Sequence, residues 1–160
     1  MAAFLPSPVI AQFDANLARI TDASASGGNL HACGYRFPLD KEPDSALDGA
    51  YYIDVTDVRV RERVYGTQEN ISEADLVVRV AYHRGGGELG LADRQGVLRN
   101  AGDDAMRIAD ACDNPDNYAT STSGIREVRY QGSQRVLDMP RGEIWESRFW
   151  VQWRSGSVLT

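Results

Sequence analysis

Two segments of the chain carry apolar residues at the spacing of an amphipathic α-helix. In residues 8–23, spacings of four, four and three separate Val9, Phe13, Leu17 and Ile20. In residues 91–112 a longer stripe comprises Val97, Leu98, Ala101, Ala105, Ile108, Ala109 and Cys112. The pattern predicts two helices, each of which buries one side. Gly96 and Gly102 weaken the second helix, and we interpret them as positions where it approaches a sheet closely.

Alternation with a period of two predicts strands in the remaining segments. A short strand is predicted within residues 31–37, a long one over residues 50–66 and another over residues 75–84. The mostly polar residues 68–74 are predicted to separate the last two. These two strands are therefore expected to pair as an antiparallel hairpin.

The long strand at residues 50–66 changes phase along its length. Its apolar residues Tyr51, Ile53 and Val55 are followed by Val58, Val60 and Val64. A shift of one residue turns every later side chain to the opposite face of a sheet. We therefore predict a β-bulge near Thr56 and Asp57.

The last predicted strand, residues 142–156, contains all three tryptophans and has two unequal faces. One is a core face, interrupted only by Ser147, and consists of Trp145, Phe149, Val151 and Trp153. The other face is mostly charged and consists of Ile144, Glu146, Arg148, Trp150, Gln152 and Arg154. Residues 124–133 and 134–139 are predicted to form one or two strands before it.

The order of these elements predicts the fold class. A helix is followed by several strands, a second helix and two or three further strands. Because strands and helices do not alternate regularly, a doubly wound parallel sheet is not expected. The prediction is a single α+β domain over residues 1–160. It contains a mainly antiparallel sheet of four or five strands, with two helices packed on one face.

The composition is that of a globular protein with an unusual choice of cation. Hydrophobic residues make up 42% of the 160 residues and charged residues 25%, as in ordinary domains. The net charge of −6 argues against a general phosphate-binding surface. Of the 17 basic residues, Lys41 is the only lysine. This bias follows from a GC-rich coding sequence, from the use of arginine in protein interfaces, or from both.

Targeting and redox features narrow the expected location. No stretch approaches 18 consecutive apolar residues, and residues 1–13 lack the basic region of a signal peptide. Cys33 and Cys112 form no CxxC pair and are predicted to be two small buried apolar residues. We expect a cytoplasmic origin and no contact with a membrane.

Segments with possible chemistry lack the motifs that would support it. Residues 85–90 follow a strand and precede a helix, as phosphate-binding loops do. They match the bare GxGxxG spacing, but the predicted order of elements provides no βαβ unit around it, and they contain no GxxxxGK[ST] motif. Glu88 within them would also repel phosphate. We predict a loop at an interface, comprising Gly85, Gly86, Gly87 and Glu88.

The few side chains that suit metal binding or catalysis stand at no recognised spacing. His31, Cys33, His83 and Cys112 lack the spacing of a zinc site. Asp103, Asp110 and Asp113 are expected to form the solvated side of the second helix. No nucleophile motif surrounds the serines and threonines of residues 119–124. We expect a protein that is not an enzyme and that binds no metal or cofactor.

Trp150 raises the main functional question because it lies among charges. Either a helix covers it as a second core face, or it contacts another chain, where tryptophan and arginine are enriched. In the second case Ile144 and Trp150 would form an exposed apolar patch. We predict an interface formed by Glu146, Arg148, Trp150 and Arg154.

The arrangement resembles the tail terminator (tail completion) proteins of long-tailed bacteriophages over residues 8–154. The resemblance comprises an N-terminal amphipathic helix, a long strand pair ending in DLVVRVAYHR, and the helix DRQGVLRNAGDDAMRIADAC. The segment GIREVRYQGSQRVLD and the closing EIWESRFWVQWR complete it.

The resemblance implies a virion structural protein that forms a ring, usually a hexamer, at the head-proximal end of the tail. Such a ring stops polymerisation of the tail tube protein and meets a neck, connector or stopper protein. DNA would only pass through its lumen. The protein would be assembled in the host cytoplasm and reside in the tail or neck of the virion.

Three other functions remain open. The first is another head–tail joining role, as a stopper or head-completion protein. The second is a small ligand-binding or enzymatic α+β domain similar to the nuclear transport factor 2-like group. That function requires a pocket where Asp54, Tyr82, His83 and Arg148 converge. The third is an interaction module that pairs with a different protein.

Overall fold

Two helices lie against a five-stranded sheet in the computed structural model, which describes residues 7–23, 25, 28–63, 69–83, 91–118 and 124–156. In chain order the elements are α1 (Ser7–Leu17), β1 (His31–Ala32), β2 (Ala50–Arg63), β3 (Glu69–His83), α2 (Leu91–Asp113), β4 (Ile125–Met139) and β5 (Gly142–Gly156). Short 3-10 helices occur at Ser45–Leu47 and Pro115–Asn117. The predicted α+β class is confirmed.

The strand order is β1-β2-β3-β5-β4, so the last strand in the sequence lies inside the sheet. Only the short β1–β2 pair is parallel, and the other three pairs are antiparallel. The predicted β2–β3 hairpin is confirmed. β3 and β5 pair without a register shift from Glu69 opposite Gly156 to His83 opposite Gly142. The β2–β3 and β4–β5 pairs on either side contain register shifts, so the central β3–β5 pair is the regular part of the sheet.

The predicted bulge in β2 is confirmed. The pairing passes from Thr56 opposite Asp75 directly to Arg59 opposite Glu73, so two residues of β2 face one of β3. Asp57 within it has a φ of 51°, a left-handed conformation that aspartate tolerates better than most residues. The extra residue changes the phase of the strand, as the sequence pattern indicated.

One face of the sheet packs against both helices, as predicted. The buried cluster contains Val9, Phe13 and Leu17 from α1 and, from α2, Ala101, Ile108 and Cys112. The sheet contributes Leu76, Val78, Val80, Phe149, Val151 and Trp153. The rings of Phe13 and Phe149 meet edge to face, with centroids 5.5 Å apart. Trp145 is partly buried at the margin of this core.

Two details of the helix face differ from what the pattern indicated. A Cβ atom added to Gly102 would meet nothing within 4 Å, so a close approach to the sheet at this residue is wrong. Gly96 and the side chains of Val97 and Leu98 lie outside the described part of the chain. Ser147, which interrupts the apolar face, is buried with its hydroxyl 2.7 Å from that of Ser133. That partner satisfies the hydroxyl inside the core.

The opposite face is covered at one end by the segment between β1 and β2. Phe37 packs against Tyr52 with ring centroids 4.6 Å apart, and Ala50, Ala81 and Ile144 complete a second buried cluster. Ile144 is fully buried. The prediction of one exposed patch that contains both Ile144 and Trp150 is therefore wrong. Among the described residues, the segment before β2 covers the end of β5 where Ile144 lies and not the part where Trp150 lies.

Two predicted elements are shorter in the structure. α1 ends at Leu17, not at residue 23, because Arg19 and Ile20 donate 3-10 hydrogen bonds to Asn16 and Leu17 and the chain turns. Ile20 is still buried, so the apolar spacing was correct and the helix end was not. The strand within residues 31–37 is reduced to β1. After Cys33 donates to the carbonyl of Tyr51, the chain leaves the edge of the sheet.

Two strands are longer than predicted. β3 begins at Glu69, not at residue 75, because residues 69–74 pair with the end of β5. This part of the strand was not predicted because most of its residues are polar. One of them, Glu73, is nevertheless buried beneath arginines. β4 is a single strand that passes through Gly132, whose φ of 120° accommodates a register shift. The glycine bends the strand without ending it.

Candidate interface on the arginine face of the sheet

Strand register places the charged residues of β5 in rows with charged residues of its neighbours. On the face away from the helices, Glu146 lies opposite Arg79 of β3 and Gln134 of β4. Two residues further along β5, Arg148 lies opposite Val77, and Trp150 then lies opposite Asp75 and Arg129. The predicted interface residues Glu146, Arg148 and Trp150 are therefore consecutive members of one sheet face.

Glu146 is a buried acceptor at the centre of this face. It receives hydrogen bonds from Arg79 Nε at 3.0 Å, Arg148 Nε at 2.8 Å and Gln134 Nε2 at 3.2 Å. Burial disfavours its charge, but these donors outweigh that effect and lower the pKa of Glu146 below its ordinary value. The carboxylate is thus held ionised inside the protein.

Arg79 extends this network to the neighbouring strand. Its Nη1 atom lies 3.2 Å from both the Tyr52 hydroxyl and Asp54 Oδ2. Asp54 in turn pairs with Arg36 of the covering segment at 2.9 Å. Burial opposes the charge on Arg79, whereas its contacts with Tyr52 and Glu146 raise its pKa. One network of alternating charge therefore joins the covering segment, β2, β3 and β5.

A second buried carboxylate lies further along the same face. Glu73 accepts from Arg59 Nε at 2.6 Å and from Arg61 Nη1 at 3.1 Å. Burial would raise its pKa, but the two guanidinium groups lower it. Both arginines follow the bulge in β2. The change of phase at the bulge, which we predicted from the valines, therefore also places these two cations over Glu73.

Trp150 is covered by a cation from its own chain. The guanidinium carbon of Arg129 lies 4.9 Å from the centroid of the Trp150 ring, which is the geometry of a cation–π contact. Arg129 is oriented by an ion pair with Glu127 at 2.6 Å. The ring is therefore half-buried without being covered by a helix. Neither of the two interpretations of Trp150 included this intramolecular partner.

Charges on this face are sorted by depth. The side chains of Glu146 and Glu73 are 3% and 9% exposed, whereas those of Arg148, Arg61 and Arg129 are 55%, 63% and 66% exposed. The carboxylates of Glu146 and Glu73 thus lie beneath the exposed guanidinium groups. We use the name arginine face for this surface, whose outer layer consists of Arg36, Arg59, Arg61, Arg129 and Arg148.

The lowered pKa values of Glu73 and Glu146 predict acid sensitivity. Both carboxyls have a lower pKa in the folded chain than the ordinary value of 4.5. They therefore stabilise the fold above the unfolded pKa, and this stability is lost as the pH falls through the folded values. We expect the free energy of unfolding, measured by urea titration, to decrease from about pH 5 to about pH 3. A flat profile across this window would contradict the prediction, and Glu73→Gln should make the decrease smaller.

Of the other predicted interface residues, Arg154 alone lies in the described part of the chain. Arg154 is exposed near the end of β5, and its backbone N–H donates to Gly124 at 2.9 Å. Gly85, Gly86, Gly87 and Glu88 lie outside the described residues. The sequence pattern did not identify Arg79, Glu73 and Arg129, and it placed Asp54 in a ligand pocket instead of this network. Each of these residues contacts side chains that are distant in the sequence, so only the pairing of the strands shows that it belongs to this network.

The residues proposed for a ligand pocket do not converge. Tyr82 lies on the helix face, where its hydroxyl donates to the buried Asp104 of α2 at 2.9 Å. Asp54 and Arg148 belong to the opposite face. The Nδ1 atom of His83 lies 3.1 Å from the carbonyl of Pro43. Burial and the neighbouring Asp104 raise the pKa of Tyr82 well above its ordinary value. The hydrogen bond between Tyr82 and Asp104 joins α2 to the sheet.

An open groove of about 260 Å³ lies beside the end of β1. Several of its polar lining groups already contact one another or their neighbours. Asp14 accepts from the Tyr51 hydroxyl at 2.9 Å, and Arg36 pairs with Asp54. Burial and the contact with Asp14 raise the pKa of Tyr51. Cys33 is half-buried in the groove, whereas Cys112 is buried in the core as predicted, and both are free thiols.

Two other classes of feature, a metal site and a membrane-spanning helix, are absent from the described residues. Within the described ranges, no three side chains of histidine, cysteine, aspartate or glutamate are grouped as a metal would need. Neither helix, over the part of the chain that the structure describes, is both long enough and apolar enough to span a membrane. Comparison with protein-family models and with curated protein sequences gave no match for this chain.

Proposed function

We propose that this chain is a structural subunit of the head–tail junction of a long-tailed bacteriophage, acting as a tail terminator. In this role copies assemble into a ring, expected to be a hexamer, that stops growth of the tail tube and joins it to a neck, connector or stopper protein. DNA passes through the lumen without being held. The proposal places the protein in the tail or neck of the virion, not at a membrane and without a cofactor.

The observation that carries the proposal is the arginine face. It combines exposed guanidinium groups with the half-buried ring of Trp150, and tryptophan and arginine are the residues most enriched where proteins bind each other. The segment before β2 covers only one end of this sheet face. Among the described residues no other segment covers this face, which fits a surface that binds another protein chain, as a subunit of a ring requires.

The order of the elements also supports the proposal. The resemblance to tail terminators rests on an N-terminal helix, a long strand pair, a second helix and closing strands. The chain has α1, the β2–β3 hairpin, α2 and the β4–β5 hairpin in that order. A stopper or head-completion protein is the alternative in the same class, and it would share the ring but not the action on the tube.

Assembly and tube capping test the proposal separately. Native mass spectrometry of the purified chain is expected to show a closed oligomer, either alone or with a tail tube protein from the same genome. When that tube protein polymerises in vitro, addition of the chain should shorten the tubes seen by negative-stain microscopy. A chain that remains monomeric with tube protein present would overturn the proposal. Closed rings that leave tube length unchanged would favour the stopper alternative.

A further inference from the structure

The exposed side of α2 carries an acidic stripe. Asp103, Asp110 and Asp113 recur at spacings of seven and three, so they lie on one side of the helix, and all three are exposed. Met106 lies between them and is 56% exposed, which is unusual for a large apolar side chain. The opposite side of α2 is buried against the sheet through Ala101, Ala105, Ile108 and Cys112. Asp103 and Asp110 therefore point away from the sheet, whereas Asp113, at the end of the stripe, accepts a hydrogen bond from the backbone of Tyr130 in β4.

The acidic stripe is electrostatically unfavourable within its own chain. Asp110 and Asp113 occupy the end of α2, where the helix dipole is negative and cations are preferred. The last turn of α2 contains no basic residue. The nearest arginine on the helix, Arg107, is already engaged by Asp104 at 3.0 Å and Asp22 at 3.1 Å. A cationic partner from outside the subunit would therefore stabilise this end of the helix.

The arginine face has the opposite sign and lies on the opposite side of the molecule. Its outer layer carries exposed guanidinium groups, and two of the carboxylates that balance them, Glu73 and Glu146, are buried beneath, whereas Glu127 beside Arg129 is partly exposed. Guanidinium groups bind carboxylates in a planar, forked geometry. A contact between these two different surfaces joins copies head to tail. Such a contact is heterologous and closes into a ring when the rotation between copies permits.

We propose that the arginine face of one copy binds the acidic stripe of the next copy, with Trp150 and Met106 in the apolar part of the contact. The inference rests on the proposed ring assembly and assigns its two surfaces. A second copy fits better than nucleic acid, because the net charge of −6 repels a polyanion. The acidic stripe also provides, on every copy of the chain, the carboxylates that the guanidinium groups of the arginine face would bind.

Charge reversal of the stripe separates assembly from folding. In Asp103→Lys/Asp110→Lys both side chains are exposed, and lysine near the end of α2 suits the helix dipole. We expect self-association, measured by native mass spectrometry over a dilution series, to weaken by roughly tenfold or more. The melting temperature measured by circular dichroism should remain unchanged or rise. Asp40→Lys makes the same charge change as Asp110→Lys at an exposed position before β2, and it should leave assembly intact.

The complementary variant tests whether the two surfaces bind each other. Arg129→Glu/Arg148→Glu should also weaken assembly, and Arg129→Gln/Arg148→Gln provides a version that adds no charge beside Glu146. Combining the two reversals in one chain should restore assembly, because the contact then has the same complementarity with its signs exchanged. An equimolar mixture of the two reversed proteins should assemble for the same reason.

The other outcomes distinguish failure of the surface assignment from failure of the proposed function. Wild-type assembly that is unaffected by either reversal would overturn the assignment of the surfaces while leaving ring assembly standing. Failure of the combined variant to assemble, with a normal melting temperature, would show that the two surfaces are not partners. Assembly that behaves as expected, with tubes that are not shortened, would overturn the terminator function alone. Tight binding of a short DNA duplex by wild-type protein but not by Arg129→Gln/Arg148→Gln, with assembly unchanged, would assign the arginine face to nucleic acid.

Discussion

Trp153→Ala is expected to lower the free energy of unfolding of the monomer by about 3–5 kcal/mol. The Trp153 side chain is only 3% exposed and belongs to the core beneath the helices, together with Phe149 and Val151. Its removal deletes a large buried surface and leaves a cavity between β5 and the helices. Urea unfolding under conditions that keep the protein monomeric, followed by circular dichroism, measures the change.

Trp150→Ala is the matched control, because it removes the same side chain three residues earlier on the other face of β5. Trp150 is half-buried, and its closest charged neighbour is the exposed Arg129. Losing this contact should lower the free energy of unfolding by about 1 kcal/mol, while self-association weakens more. Equal losses of monomer stability in the two variants would contradict the assignment of the two faces.

Glu146→Ala is expected to lower the free energy of unfolding by about 3 kcal/mol, because the largely buried Arg79 loses one of its two carboxylate partners and keeps only Asp54, while Gln134 loses its acceptor. The side chain of Arg79 is 17% exposed and cannot move fully into water without leaving the sheet. Differential scanning calorimetry or urea unfolding at neutral pH tests the value.

Glu127→Ala provides the comparison for a surface ion pair. Glu127 also pairs with an arginine, Arg129, but its side chain is 43% exposed. Pairs of this kind contribute less than about 1 kcal/mol, because water and salt replace the lost partner. If Glu127→Ala destabilises the protein as much as Glu146→Ala, burial does not control the strength of these pairs. A double variant, Glu146→Leu/Arg79→Met, should be less damaging than Glu146→Ala alone.

The sequence pattern predicted the fold well where one side of an element is apolar and the other is polar. The stripes of α1 and α2 and the core face of β5 follow this rule, and so does the bulge, because the valines of β2 change parity at that point. The ends of elements were less predictable. The start of β3 at Glu69 was missed because Glu73 is buried through contacts with β2, and such contacts leave no trace in local periodicity.

The candidate site was predictable only in part for a related reason. The alternation in β5 correctly placed Glu146, Arg148 and Trp150 on one face. It gave no information about Arg79, Asp54 or Arg129, because their positions depend on which residues of other strands lie opposite β5. Burial of Glu146 beneath Arg148 is likewise a consequence of tertiary pairing. A buried acidic residue looks the same as an exposed one in a single sequence.

The position of β5 inside the sheet has a consequence for the order of folding during synthesis. β5 is the last of the five strands to leave the ribosome, yet both β3 and β4 pair with it. Until residues 142–156 emerge, the β2–β3 hairpin presents an unpaired edge, and the core lacks Phe149, Val151 and Trp153. Contacts between such distant segments form slowly, and an unpaired strand edge can associate with other chains. Stalled chains from which residues 142–156 have not emerged should therefore aggregate more than chains from which they have emerged.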